Sequence, residues 1–148
     1  MIVENDKAVR EVLRVSLTRA GYDVIQAEDG EKALGLVNDA DVIVLDLVLP
    51  KLNGEEFLRC IRGSGNYIPV VVTSGVYPKE EVEKKLRGLE VVDFVPKPFS
   101  IKEIVEKVAK GLEIAKYMSG IRHSTDRIQG FIARQAMAVA PRAGKMKA

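Results

Sequence analysis

The sequence predicts an α/β domain built on a parallel sheet with helices on both faces. Three observations carry that expectation. Largely apolar stretches without alternation recur at 42–45 and 69–72, with a third at 91–95 broken only by Asp93, as in strands covered on both sides. Stretches of helical period separate them, so that strand and helix alternate five times along the chain. Turn formers such as Asp29-Gly30, Asn53-Gly54 and Gly63-Ser64-Gly65 punctuate the changes.

Residues 1–3 read as the stub of a first strand whose lead-in is missing, a shortened start. From 7 to 20, Ala8, Val9, Val12, Leu13, Leu17 and Ala20 form a helical stripe, and Gly21 ends it as the residue after the cap. A second strand is expected over 22–27 and a second helix over 31–38, with Ala33, Leu34 and Val37 inward. The central strand runs over 41–46 and ends on an acid, Asp46. A helix over 55–62 turns Phe57, Leu58 and Ile61 inward, and Cys60 reads as a small apolar residue of the same pattern. Residues 69–74 are a buried strand around three consecutive valines, 79–87 a strongly charged helix and 91–95 the fifth strand. After the stiff Pro96-Lys97-Pro98-Phe99 loop, Ser100 and Glu103 have the spacing of a capping box for a last helix through Ile104, Val108 and Leu112.

The chain of 148 residues is 47% apolar and 30% charged, ordinary for a globular protein with a real core. No apolar stretch approaches the roughly 18 residues of a membrane span. The first residues lack the basic region and apolar core of a signal peptide, so a cytoplasmic protein is expected. One cysteine excludes an internal disulfide. The chain has 23 basic and 21 acidic residues, yet six of the basic residues and a single acid fall in 119–148. The change of character suggests a domain over 1–118 and a basic extension over 119–148.

Right-handed crossovers place the carboxyl ends of strands 1, 3, 4 and 5 on one edge of the sheet, where ligands of open α/β sheets bind. Those ends carry Glu4 and Asn5, Asp46, Ser74 and Lys97. An acid at one strand end is either a structural cap or a chemical group. Carboxylates, a hydroxyl and an ammonium converging in one crevice favour the second.

Four blocks in this order and spacing resemble a response-regulator receiver domain, the phosphoacceptor half of two-component signalling. They are Ile2-Val3-Glu4-Asn5, then Asp41 to Asp46 with Leu49-Pro50 and Asn53-Gly54, then Val72-Thr73-Ser74-Gly75, and Lys97-Pro98-Phe99. The resemblance covers residues 1–118. It implies a doubly wound, flavodoxin-like, five-stranded parallel sheet of order 2-1-3-4-5, and a self-catalysed phosphoryl switch rather than an enzyme. By it, Asp46 accepts a phosphoryl group from a sensor histidine kinase, and Glu4, Asn5, Asp46 and the Val48 carbonyl hold Mg²⁺. Ser74 and Lys97 meet the phosphoryl oxygens, Phe94 is the switch aromatic, and output goes to a downstream protein target. Mg²⁺ prefers oxygen ligands, and phosphoryl transfer needs positioning and neutralised oxygens. One departure stands out. The family has two acids after the first strand, and here the second is Asn5. Moving Asp6 into that place breaks the helical offset of Val9-Arg10, so Asp6 reads instead as an acid at the helix N-terminus.

The tail is too short for a winged-helix module and shows no helix-turn-helix or aromatic platform, which argues against nucleic-acid binding. Ile114, Met118, Ile121, Thr125, Ile128, Ile132, Gln135 and Val139 are spaced alternately four and three, a heptad seam. A helical extension pairing with a partner, or as a homodimer through residues 114–139, is the expectation. Residues 140–144 would end it, before a disordered terminus. His123 lies off the seam, in a run that partly resembles the histidine box of a kinase dimerisation helix, with Ser124 where that box has an acid. This leaves two alternatives: the front part of a receiver–kinase or phosphorelay protein using His123, and a phosphorylation-independent scaffold, which Asn5 favours.

Overall fold

The computed structural model describes residues 1–139. Five parallel strands, β1 (Ile2–Val3), β2 (Gln26–Ala27), β3 (Ile43–Asp46), β4 (Val70–Ser74) and β5 (Asp93–Pro96), lie in the order β2-β1-β3-β4-β5. Helices α1 (Lys7–Arg19), α2 (Gly30–Leu36), α3 (Gly54–Gly63), α4 (Lys79–Lys85) and α5 (Ile101–Val139) follow the strands in turn. This is the doubly wound, flavodoxin-like architecture expected. The chain divides into two compact units, Met1–Ala115 and Lys116–Ala148. The expected end over 140–144 and the disordered terminus lie outside the described residues.

The non-alternating runs are explained by two cores, one on each face of the sheet. Ile43, Leu45, Val70 and Val72 pack with Ala33, Phe57, Leu58, Ile61 and Val82. Their neighbours Val42, Val44 and Val71 pack with Leu13, Leu17, Ile104 and Val108. Each successive side chain of β3 and β4 thus finds a helix.

Several bounds differ from expectation, each for a local reason. The strand expected over 22–27 is only Gln26–Ala27, because β1 offers just Ile2 and Val3 to pair with it. The helix expected over 31–38 gives way to a 3-10 turn at Val37–Asp39, where a β-branched residue, Asn and Asp disfavour continued α-helix. The strand expected at 91 begins at Asp93, after Glu90 with φ of 41°. The buried Arg62 guanidinium holds that approach by donating to the carbonyls of Leu89 and Glu90 at 2.9 and 2.8 Å. Helix α4 stops at Lys85, two residues short of the expected end. Cys60 is exposed rather than part of the apolar face of α3.

Two helix starts matter for the edge carrying the candidate residues. Asp6 caps α1, accepting the N–H groups of Ala8 and Val9. Asn53 caps α3 in a reciprocal capping box with Glu56. The next residue, Gly54, lies against the backbone after β3: an added Cβ would meet the Asp46 carbonyl oxygen and sit 2.6 Å from Leu47 Cα. No helix among the described residues is long and apolar enough to cross a membrane.

Gly54→Ala should therefore destabilise the domain by about 1–3 kcal/mol. Gly35→Ala, inside α2 with open space around it, should be neutral or stabilise by up to about 1 kcal/mol. Urea unfolding midpoints of the two variants check the contrast.

Candidate functional site

The chain leaves β1 at Glu4, and this side chain is only 2% exposed. Its Oε1 accepts the Asp6 N–H at 2.9 Å and its Oε2 accepts Lys97 Nζ at 2.7 Å. At the end of β3, Asp46 is 6% exposed. Its Oδ1 accepts the Val48 N–H at 3.0 Å, and its Oδ2 accepts the same Lys97 Nζ at 3.0 Å. One ammonium thus bridges two carboxylates from different strands. Lys97 is placed by backbone and side chain together. Its N–H donates to the Ser74 carbonyl at 2.9 Å, and its aliphatic stem passes Gly75, where a Cβ would stand 3.2 Å from Lys97 Cβ.

Burial raises the Glu4 carboxyl above its ordinary range, the nearby Asp46 charge adding to the effect and Lys97 and the Asp6 amide opposing it. Burial alone would lower the Lys97 ammonium. The bonds from Glu4 and Asp46 outweigh it, so the lysine is held above its ordinary value. A carboxylate taken out of water needs such a partner.

Ser74 is 1% exposed, and its Oγ accepts the Val76 N–H at 3.3 Å. Asp46 registers with Thr73 on β4, so Ser74 is one step further along the strand beside Asp46. Phe94, three residues before Lys97, is half-buried and packs against the core that contains Phe57 and Val82. Val48 has an exposed side chain and lies in the loop after β3. Asn5 is exposed and contributes its carbonyl, which accepts Arg10 Nη1 at 3.2 Å. The same Arg10 nitrogen donates to the Glu4 carbonyl at 2.7 Å. Arg10 was not among the sequence candidates. It acts on main-chain oxygens, which no side-chain pattern displays, and its placement in the first turns of α1 was the only signal. His123 is exposed, with Nδ1 bonded to the Ser119 carbonyl at 2.7 Å.

No group of three or more His, Cys, Asp or Glu side chains among the described residues is arranged to hold a metal ion. Two carboxylates, a carbonyl and an amide are nevertheless all hard oxygen donors, the chemistry Mg²⁺ prefers. The set fits such an ion with one charge fewer than a carboxylate at position 5 would give.

The family described as the response regulator receiver domain matches residues 1–109. The chain belongs to that family. A receiver domain is a self-catalysed phosphotransfer switch of two-component signalling rather than a classical enzyme. Response regulator MprA of Mycobacterium sp. (strain KMS) is 38% identical over 112 residues, covering 73% of this chain and 47% of that protein. The chain therefore spans about half the length of the curated relatives it matches. Among solved structures, the receiver domain of Francisella response regulator 1452 superposes with a TM-score of 0.70 at 30% identity, covering 76% of this chain and 93% of that one. The receiver domain of NtrX from Brucella abortus gives 0.69 at 27% identity, covering 76% and 96%.

The raised Glu4 carboxyl favours the folded receiver at low pH, and that contribution is lost as pH rises through its folded value. Removing Lys97 takes away the counter-charge and pushes Glu4 higher still. Lys97→Met should thus cost about 1–3 kcal/mol near neutral pH, less than for a fully buried pair because the ammonium keeps some water. The cost should shrink as the pH is lowered from neutral into the acidic range, where the Glu4 carboxyl takes up its proton and no longer needs the counter-charge. Urea unfolding of both proteins across this range checks the sign.

Proposed function

We propose that Asp46 accepts a phosphoryl group from a phosphohistidine of a sensor histidine kinase, and that the domain then signals through protein–protein contacts. The observation that carries this reading is the Lys97 bridge between Glu4 and Asp46 at the carboxyl edge of the sheet, beside Ser74. An Asp46 oxygen attacks phosphorus. The new P–O bond forms as the P–N bond breaks, and the imidazole leaves with the electron pair and takes up a proton. The phosphoryl oxygens then compete for the ammonium now shared by two carboxylates. Charge-assisted hydrogen bonds from Lys97, the Ser74 hydroxyl and the Gly75 amide stabilise the transferred group. Phe94, half-buried on the adjoining strand, follows the rearrangement and changes the surface around α4 and α5, a local charge change biasing a two-state element.

In this reading Glu4, Asp46, the Val48 carbonyl and Asn5 hold Mg²⁺, which when bound neutralises phosphoryl charge. Arg10 positions the turn by gripping the carbonyls of Glu4 and Asn5. Residues 1–118 form the phosphoacceptor part and 119–148 an extension with a separate role.

Incubation with Mg²⁺ and a small phosphodonor should add the mass of one phosphoryl group to the intact protein. Asp46→Ala, shown folded by circular dichroism, should gain nothing. No gain in the parent chain, or an equal gain in the variant, sinks the reading. Asn5→Asp should tighten Mg²⁺ binding by about tenfold or more, because a full charge replaces an amide dipole among the donors. Magnesium titration of the two proteins measures it.

A further inference from the structure

Residues 117–138 form a helical stretch of about 33 Å at 1.5 Å per residue. Little within the stretch itself stabilises it. None of the ion pairs among the described residues falls there. Ser124 and Thr125 turn their hydroxyls back to the carbonyls of Gly120 and Ile121, a habit that weakens a helix slightly. Gly120 and Gly130 cost about 1 kcal/mol each relative to alanine. Yet large apolar side chains stand in water along one side: Ile121 is 49% exposed, Ile128 and Ile132 59% each, and Phe131 57%. Most helical stability in proteins comes from burying such a stripe.

The heptad assigns the stripe. Met118, Thr125 and Ile132 fall at a positions, and Ile121, Ile128 and Gln135 at d. Gly120, His123, Arg127, Gly130, Arg134 and Met137 all fall at c or f, on the far side. Both glycines and the basic residues Arg127 and Arg134 are therefore kept away from the seam. The flanking g positions are Tyr117, Ser124, Phe131 and Ala138, and the e positions include Arg122, Gln129 and Ala136. These flanks hold a single charge, so two copies meet without like-charge conflict.

We infer that this face binds the same face of a second copy of the chain, as a parallel, in-register coiled coil. Register and direction follow from the polar residues. In the parallel arrangement Thr125 meets Thr125 and Gln135 meets Gln135 of the second copy, so each buried polar group finds a polar partner. In an antiparallel seam centred on these heptads, Thr125 faces Ile128 and Gln135 faces Met118, which strands both. An antiparallel seam shifted by one heptad pairs Thr125 with Gln135 but leaves Met118 with no seam residue opposite it within 117–138, so only the parallel register pairs every seam residue with its like. Parallel packing also sets the Arg122 guanidinium of one copy beside the Tyr117 ring of the other, a cation–π pair. The antiparallel alternative sets Arg122 beside Gln129. The inference is independent of phosphorylation at Asp46.

The full chain should sediment as a dimer. Ile128→Glu with Ile132→Glu, both at exposed positions, should return it to a monomer with an unchanged urea midpoint for the receiver fold. Direction is read by oxidative cross-linking in a Cys60→Ser background, since the natural thiol is exposed. Thr125→Cys should give a covalent dimer. A mixture of Met118→Cys and Gln135→Cys chains should form no bond between the two kinds. A monomeric parent, a higher oligomer, a dimer that survives the paired glutamates, or cross-linking only in the mixed sample would each overturn the proposal.

Discussion

A single ammonium shared between two buried carboxylates organises this domain. Lys97 reaches Glu4 and Asp46 at 2.7 and 3.0 Å, and neither acid has another cation in contact with it among the described residues. The contact imposes conditions on three strands at once, since the carboxyl ends of β1, β3 and β5 must come to one edge at one level. Gly75 leaves room for the lysine stem, and Gly54 lets α3 start directly against the Asp46 backbone. Taking charges out of water is costly unless geometry and hydrogen bonds compensate. Here the Asp6 and Val48 amides supply the remaining bonds to the carboxylates.

The parts of the fold that show in the sequence are those where burial dictates residue type. Val70, Val71 and Val72 face alternate cores, both closed, so no polar residue interrupts them. The topology then delivers Glu4, Asp46 and Lys97 to one edge without any local signal linking them. What did not show depends on partners rather than on the residues themselves. The length of β2 is set by what β1 can pair with. Glu90 turns left-handed where Arg62 holds its carbonyl. Cys60 sits within an apolar-looking stretch, but the helical rotation carries it to solvent. Asn53 reads as part of a turn and is a helix cap, and Arg10 works entirely through main-chain oxygens.

The neutral side chain of Asn5 and the guanidinium of Arg10 act on the electrostatics of the pocket in the same direction. With Glu4 and Asp46 counted against Lys97, the crevice is only modestly negative. On the proposed reading, such a balance would ease the approach of a phosphoryl anion while weakening the hold on a divalent cation.

The bond from Lys97 to Glu4 joins residues 93 apart in the chain, and that from Lys97 to Asp46 joins residues 51 apart. Contacts so distant form only after the intervening loops have closed. The crevice therefore belongs to the late events of folding, after β1, β3 and β5 have taken their places. A chain still emerging, or misthreaded at either edge, has its acids but not its counter-ion. The two buried acids thus gain their counter-ion only when the fold is complete.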